Sequence, residues 1–171
     1  MITKKEFYFI RHGQTNGNLP EFLGKDFGDL SLNEKGVEEA RMIAPKVSSL
    51  PIKTICHSPL QRVKETRDIC CAGLSAAHHE IHHLSECSAD IWQKMTTYMH
   101  ADEGVAAFME RVLLGVNQAL AQEGPVLIIA HGGVYWALCS FLGVDHHWVI
   151  GHCLPVHFSV SVTGDWIARC L

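Results

Sequence analysis

No stretch of this sequence stays uncharged and apolar for the roughly 20 residues that a membrane-spanning helix needs. The longest such stretches, 125–130 and 134–142, fall far short, and no membrane partner is expected. A surplus of positive charge is missing as well. Fourteen Lys and Arg stand against eighteen Asp and Glu, a formal net charge of −4. Neutralising a row of phosphates needs cations gathered on one face, so nucleic acid is not an expected partner. The seven cysteines, at 56, 70, 71, 87, 139, 153 and 170, are odd in number and contain no CxxC pair, which points to reduced, mostly buried thiols. Repeats and low-complexity tracts are absent. Lys4, Lys5 and Glu6 precede a run of only four apolar residues, too short for a signal-peptide core, and a cytoplasmic location is expected.

What is present is a chain of 171 residues, 47% of them hydrophobic, long enough to bury roughly 70% of its unfolded surface. One globular domain over 1–171 is the expected organisation. Histidine is abundant: adding twelve protons to a formal charge of −4 gives +8 as pH falls through about 6.5.

Residues 6–10 are aromatic and β-favouring and run into Arg11-His12-Gly13, a strand handing over to a loop. Asn33 can cap a helix whose Val37, Ala40, Arg41, Ile43, Ala44 and Val47 recur at helical spacing until Leu50-Pro51, with Gly36 and Pro45 weakening it. A short strand is predicted at 53–57. Ser58-Pro59 then reads as the cap and first turn of a helix reaching about Cys71. Segment 103–122 carries Val105, Phe108, Val112, Val116 and Leu120 on one helical stripe and stops at Gly124-Pro125. A buried strand at 126–130, the triplet His131-Gly132-Gly133 and a buried helix at 134–142 follow. The tail alternates over 157–162, turns at 163–165 and resumes at 166–168, as a hairpin does. Its apolar residues suit either a structural hairpin or a dimer surface. Segments 13–31 and 85–103 read as loops forming a small lid over a site. This order predicts an α/β fold: a three-layer α/β/α sandwich, its sheet mostly parallel, with an antiparallel edge and a C-terminal hairpin.

Chemistry gathers at three strand ends, where ligands bind in open α/β sheets. They are Arg11-His12-Gly13-Gln14-Thr15, Ser58-Pro59-Leu60-Gln61-Arg62 with Glu65-Thr66, and Ala130-His131-Gly132-Gly133. Two arginines and two histidines brought together make a compact anion pocket. Guanidinium forks match phosphate oxygens, and backbone N–H groups at a glycine-bearing helix start add donors.

These motifs, in this order, resemble the histidine phosphatase superfamily, the phosphoglycerate mutase-like fold, over nearly the whole chain. Arg11-His12-Gly13 looks like its hallmark, and Gln14-Thr15 with Asn18 extends it. Leu32, Gly36 and Glu39-Ala40 look like its first-helix signature. Ser58-Pro59-Leu60 with Arg62 and Glu65-Thr66 resembles its second motif, and Ala130-His131-Gly132-Gly133 its last. The resemblance implies that His12 is a nucleophile forming a phosphohistidine that water hydrolyses. It places Arg11, Asn18, Arg62 and His131, with Thr15 and Gly132, around the phosphoryl group, and requires no cofactor or metal. Neutral imidazole is needed at His12, and the two arginines should depress its pKa. Leu84-Ser85-Glu86 looks like the signature holding the family's general acid and base, with Trp92 where members often carry tryptophan. Asp90 and Gln93-Lys94 depart from the family's glycine and Glu-Gly at those places, which leaves Asp90 and Glu103 as alternative acids.

Mutases of this family are longer and shield the phosphoenzyme, whereas this sequence stops at Leu171 just after the hairpin, so hydrolysis is expected over isomerisation. The substrate implied is a small phosphorylated metabolite, with a phosphoprotein as the alternative. A mutase-type isomerase and a non-catalytic phosphate-binding protein are the rival readings. His57, His100, His152 and His157 are expected to be ordinary core or surface residues outside the site. Trp136 and Phe141 are read as core, and Glu34, Glu38 and Glu39 as a solvated helix face. The run His78-His79-Glu80-Ile81-His82-His83 is read as an edge strand leading into Leu84. It would form a solvated, pH-responsive surface on which metal binding would be incidental, and Asp145-His146-His147 is a weaker case of the same kind.

Overall fold

The structure is a computed structural model that describes residues 1–22, 25, 28–97, 102–145 and 150–171. Its centre is a six-stranded sheet built from β1 (Phe7–Arg11), β2 (Thr54–His57), β3 (Ala77–Glu80), β4 (Val126–Ala130), β5 (Val156–Val160) and β6 (Trp166–Cys170). The spatial order is β3-β2-β4-β1-β5-β6. The first four of these run parallel, β5 pairs antiparallel with β1, and β6 closes the edge as a hairpin with β5. All five residues of β4 are buried, as expected of a continuous apolar run in a parallel strand covered on both faces.

Side chains alternate across that sheet and divide the core in two. Phe7 and Phe9 of β1, with Val126, Ile128 and Ala130 of β4, join Phe158 and the helices α4 (Glu103–Leu120) and α5 (Gly132–Leu142) on one face. Tyr8 and Ile10, with Leu127 and Ile129, pack on the other face against Val47 of α1 (Glu34–Ser48) and Val63 of α2 (Gln61–Cys70). The three-layer sandwich is therefore the predicted one. Among the described residues no helix is long and apolar enough to cross a membrane.

Three boundaries differ from the sequence reading. Helix α2 starts at Gln61 with Leu60 as its N-cap, not at Ser58-Pro59, and no side chain caps it. The Ser58 hydroxyl is engaged across the sheet by His131 instead. Segment 85–103 is not all loop: α3 (Ala89–Thr96) forms within it, and the Ser88 hydroxyl accepts from the Ile91 N–H, an N-cap that compensates for a helix of only eight residues. Helix α5 begins at Gly132, two residues early, because His131 already supplies the extended backbone of an N-cap. Phe141 is 37% exposed and lies outside the core, while Trp136 packs against it as expected.

The loop after β1 is clamped by glycine contact. A Cβ on Gly13 would stand 2.5 Å from the Gly36 carbonyl oxygen, and one on Gly36 would meet the Gln14 carbonyl oxygen and lie 2.7 Å from the Gln14 nitrogen. Asn33 caps α1 through the Gly36 N–H at 2.9 Å, so the start of α1 and the loop pack backbone to backbone. Gly36→Ala should therefore destabilise the fold by about 1–3 kcal/mol, the usual cost of overpacking, read as a lower urea midpoint.

Candidate active site

Parallel pairing puts three chain exits side by side. Arg11 is in register with Ala130 and His57 with Ile129. The His12 N–H donates to the Ala130 carbonyl at 3.0 Å, and the Ser58 N–H to the Ile129 carbonyl at 3.1 Å. The residues one step beyond β1, β2 and β4, namely His12, Ser58 and His131, consequently meet at one end of the sheet.

At that end lies an open cavity of about 1110 Å³, which His12 reaches. Arg11, His12, Thr15, Asn18, Arg62, Glu86 and Gly132 line it. His131 is fully buried behind them, with its ring edge-on to that of His12 at 5.2 Å. Every residue expected at the site is therefore brought to this one place. Of the two alternative acids, Asp90 lines the cavity but is held by Lys94 at 2.9 Å. Glu103 is exposed at the start of α4 and is not among the lining residues.

His12 is fixed by its neighbours. Its Nδ1 donates to the Gly13 carbonyl at 2.7 Å, so the ring proton sits there and the lone pair is on Nε2. The Arg62 Nε–H donates towards that Nε2 at 3.3 Å. Burial, then Arg62 and Arg11, hold the imidazole well below its ordinary range. Burial and the neighbouring His12 and arginines do the same to His131. Both rings are neutral at neutral pH.

The cations are set individually. Arg11 spends Nη1 on the Ile150 carbonyl at 2.9 Å, leaving its buried Nε without a partner. Arg62 faces Asp29 at 3.7 Å, and Asp29 also accepts from the Gln61 N–H at 2.8 Å. The Thr15 hydroxyl and N–H both reach Asn18 Oδ1 at 2.9 Å, which leaves the Asn18 Nδ2 side to face other groups. Thr15 thus orients Asn18 and itself lines the cavity. Glu86 accepts from its neighbour Cys87 N–H at 3.0 Å and from the Gly133 N–H at 3.2 Å, at the start of α5.

Several residues make contacts at the site that the sequence reading did not assign to them. Glu39, expected on a solvated face, accepts from the Gln14 N–H at 2.8 Å. Thr66 accepts from the Gly13 N–H at 3.0 Å and donates to the Arg62 carbonyl. Together they tie the loop after β1 to α1 and α2. His152, expected to lie outside the site, stands with its ring 5.9 Å from that of His12. Burial, Arg11 and Lys35 lower its pKa to about 4. Lys25, Cys87, Gln93 and Thr96 also line the cavity, all of them within the segments 13–31 and 85–103 expected to cover a site. His57 and His157 are ordinary, as expected. His57 donates to the Ser58 carbonyl and accepts from Arg67, and His157 stacks on Tyr8 at 4.7 Å. The histidine run is exposed, with His78 and His79 on the edge strand β3 and His82 beside Glu80 at 3.5 Å. Among the described residues no group of three or more His, Cys, Asp or Glu is arranged to hold a metal ion. His100, His146 and His147 lie outside the described residues.

Two guanidiniums and two neutral imidazoles with the Glu86 carboxylate, at the strand ends of an α/β/α sandwich, make the arrangement of a phosphoryl-handling site. The sequence model of the histidine phosphatase superfamily (branch 1) matches residues 7–153, and the chain belongs to that superfamily. Agropine synthesis reductase of Rhizobium rhizogenes is 30% identical over 157 residues, covering 82% of this chain and 36% of that protein. The chain thus spans about a third of the length of the curated relatives it matches. In fold, it is similar to the alpha-ribazole phosphatase of Shigella flexneri, with a TM-score of 0.74 and 19% identity over 98% of this chain and 96% of that one. It is also similar to the phosphoserine phosphatase of Entamoeba histolytica, with a TM-score of 0.71 and 18% identity over 96% and 94% of the two chains. A mycobacterial glucosyl-3-phosphoglycerate phosphatase gives a TM-score of 0.71 at 18% identity, covering 97% of each chain.

Three depressed imidazoles carry a consequence for acid stability. The unfolded chain protonates them near 6.5 whereas the folded one resists, so their stabilising effect is complete above that pH and declines as pH falls towards about 4, the value for His152. The urea midpoint should drop steadily from pH 7 to pH 5. His152→Gln should flatten that slope, and an unchanged slope would reject the assignment.

Proposed function

We propose that this chain hydrolyses a phosphomonoester through a phosphohistidine on His12, with Glu86 as general acid and then general base. The observation that carries the reading is the state of His12: buried, neutral, its proton committed to the Gly13 carbonyl, and its Nε2 lone pair turned to the Arg62 guanidinium, with Arg11 acting on the same ring. Nε2 attacks phosphorus as the bond to the leaving oxygen breaks, and the Glu86 carboxyl gives that oxygen its proton. Glu86 then takes a proton from water, whose oxygen attacks phosphorus; the N–P bond breaks and phosphate leaves with His12 neutral again. Arg11, Arg62, the Asn18 amide and His131 offset the charge on the three oxygens in flight, work that positioned protein cations can do without a metal.

Superfamily membership supports phosphoryl chemistry of this kind. Beyond the phosphate-handling residues, Trp92 offers an aromatic face, Gln93 an amide and Lys25 one cation, a lining suited to a small phosphorylated metabolite. A phosphorylated protein side chain is the rival substrate, and the comparison of the two decides between them.

The test is phosphate release in EDTA from alpha-ribazole phosphate, glucosyl-3-phosphoglycerate, phosphoserine, a phosphopeptide and p-nitrophenyl phosphate. Wild type should turn over at least one of them, and His12→Ala should lose on the order of 10³-fold or more. Equal rates for the two proteins would exclude His12 as nucleophile. Glu86→Gln separates the acid: it should lower the rate with an alkyl phosphate by roughly 10²–10⁴-fold but far less with p-nitrophenyl phosphate, whose leaving group departs without a proton. An equal loss on both would move the acid elsewhere.

A further inference from the structure

Ser58 lies between the chemistry and the fold. Its side chain is fully buried, and its Oγ stands 2.8 Å from His131 Nε2. The Leu60 N–H points at the same oxygen from 3.4 Å, so one lone pair of Oγ already faces a donor. A buried hydroxyl proton needs an acceptor, and His131 Nε2 is the acceptor that the described contacts supply.

The remaining atom of the His131 ring, Nδ1, is buried and has no hydrogen-bond partner. His131 is neutral and carries one ring proton. Were that proton on Nε2, it would compete with the Ser58 proton for the same short contact and leave a lone pair on Nδ1, which repels phosphate oxygen. With the proton on Nδ1, Ser58 donates to Nε2, and the orphaned Nδ1–H awaits an acceptor beside the His12 ring, 5.2 Å away between centroids.

We infer that Ser58 is a positioning residue that holds His131 in the Nδ1–H tautomer, so that a phosphoryl group at His12 receives a hydrogen bond from His131 Nδ1. The inference rests on the phosphohydrolase reading for the identity of that acceptor, but the tautomer itself is independent of any turnover. It also accounts for the late start of α2. A serine used as a helix cap would turn its oxygen to the helix N–H groups, whereas here Ser58 is held across to His131 and the helix begins at Gln61.

The deciding measurement is long-range ¹H–¹⁵N NMR of the histidine rings in the full chain, free and with inorganic phosphate or vanadate. Wild type should show a pyrrole-type Nδ1 and a pyridine-type Nε2 for His131, with the Nδ1 proton moving when the oxyanion is added. A proton on Nε2, or on both nitrogens, at neutral pH would overturn the inference in the wild-type protein alone, whether or not the chain hydrolyses anything. Ser58→Ala should shift His131 towards Nε2–H and weaken phosphate binding about 10- to 100-fold, and Ser58→Thr, which keeps the hydroxyl, should restore both. A loss of binding that is equal in the two variants, with the tautomer unmoved, would make Ser58 a packing residue only. Phosphate release by a wild type that carries Nε2–H would sink the tautomer and leave the phosphohydrolase reading standing. Nδ1–H in a protein that releases no phosphate would do the reverse.

Discussion

The register of β4 between β1 and β2 is the constraint from which the site follows. A parallel strand paired on both sides delivers its C-terminal end next to two others, and here Arg11, His57 and the end of β4 leave the sheet within one residue of each other. A slip of one residue would send His12 to the other face along with every core side chain of β1, because the side-chain period is two. The apolar residues that fix this register, Phe7, Phe9, Val126 and Ile128 on one face and Tyr8, Ile10, Leu127 and Ile129 on the other, are far more numerous than the groups they place. Packing therefore determines where the imidazoles stand, and the imidazoles contribute little to the packing.

What that placement does is electrostatic. Two half-buried guanidiniums stand by rings that resist protonation, since burial and the arginines act in the same direction on His12 and His131. Glu86 partly offsets Arg11 and Arg62, yet its own oxygens are turned to the Cys87 and Gly133 N–H groups. The Arg11 Nε and His131 Nδ1 remain without partners. Leaving buried donors unmatched is costly, and an oxyanion bound over His12 is the natural acceptor for both. Under the proposed function, these unmatched groups favour a phosphoryl oxyanion over a neutral ligand.

Most of the fold was legible in the sequence because it rests on strong periodic signals: the continuous apolar run of β4, the stripe on α4, the alternation in the hairpin. The three strand-end motifs were legible for the same reason, each being punctuated by glycine or proline after a β-favouring run. What escaped depends on partners distant in sequence. Glu39 looks like any acidic residue on a helix face until the loop after β1 brings the Gln14 N–H against it, and Ser58 looks like a helix cap until β4 presents His131. His152 comes within a ring's width of His12 because the Cys153 N–H bonds the Arg11 carbonyl at 2.9 Å, a contact between chain positions 142 residues apart that no local pattern encodes.

The residues that departed from the family pattern find their physical reason in α3. Asp90 and Lys94 stand one turn apart and form an ion pair at 2.9 Å, and Lys94 also reaches Asp102 at 3.0 Å. Asp102 in turn caps α4 through the Gly104 and Val105 N–H groups. Glycine at either place would supply neither partner and would weaken a short helix by its backbone entropy. Exposed pairs of this kind add little stability singly, but here one ammonium joins the first turn of α3 to the capping residue of the next helix. That join fixes the part of the cavity lining that carries Trp92 and Gln93. Asp90 is thereby drawn into holding the cavity wall, and the carboxylate that remains in the lining, at the start of α5, is Glu86.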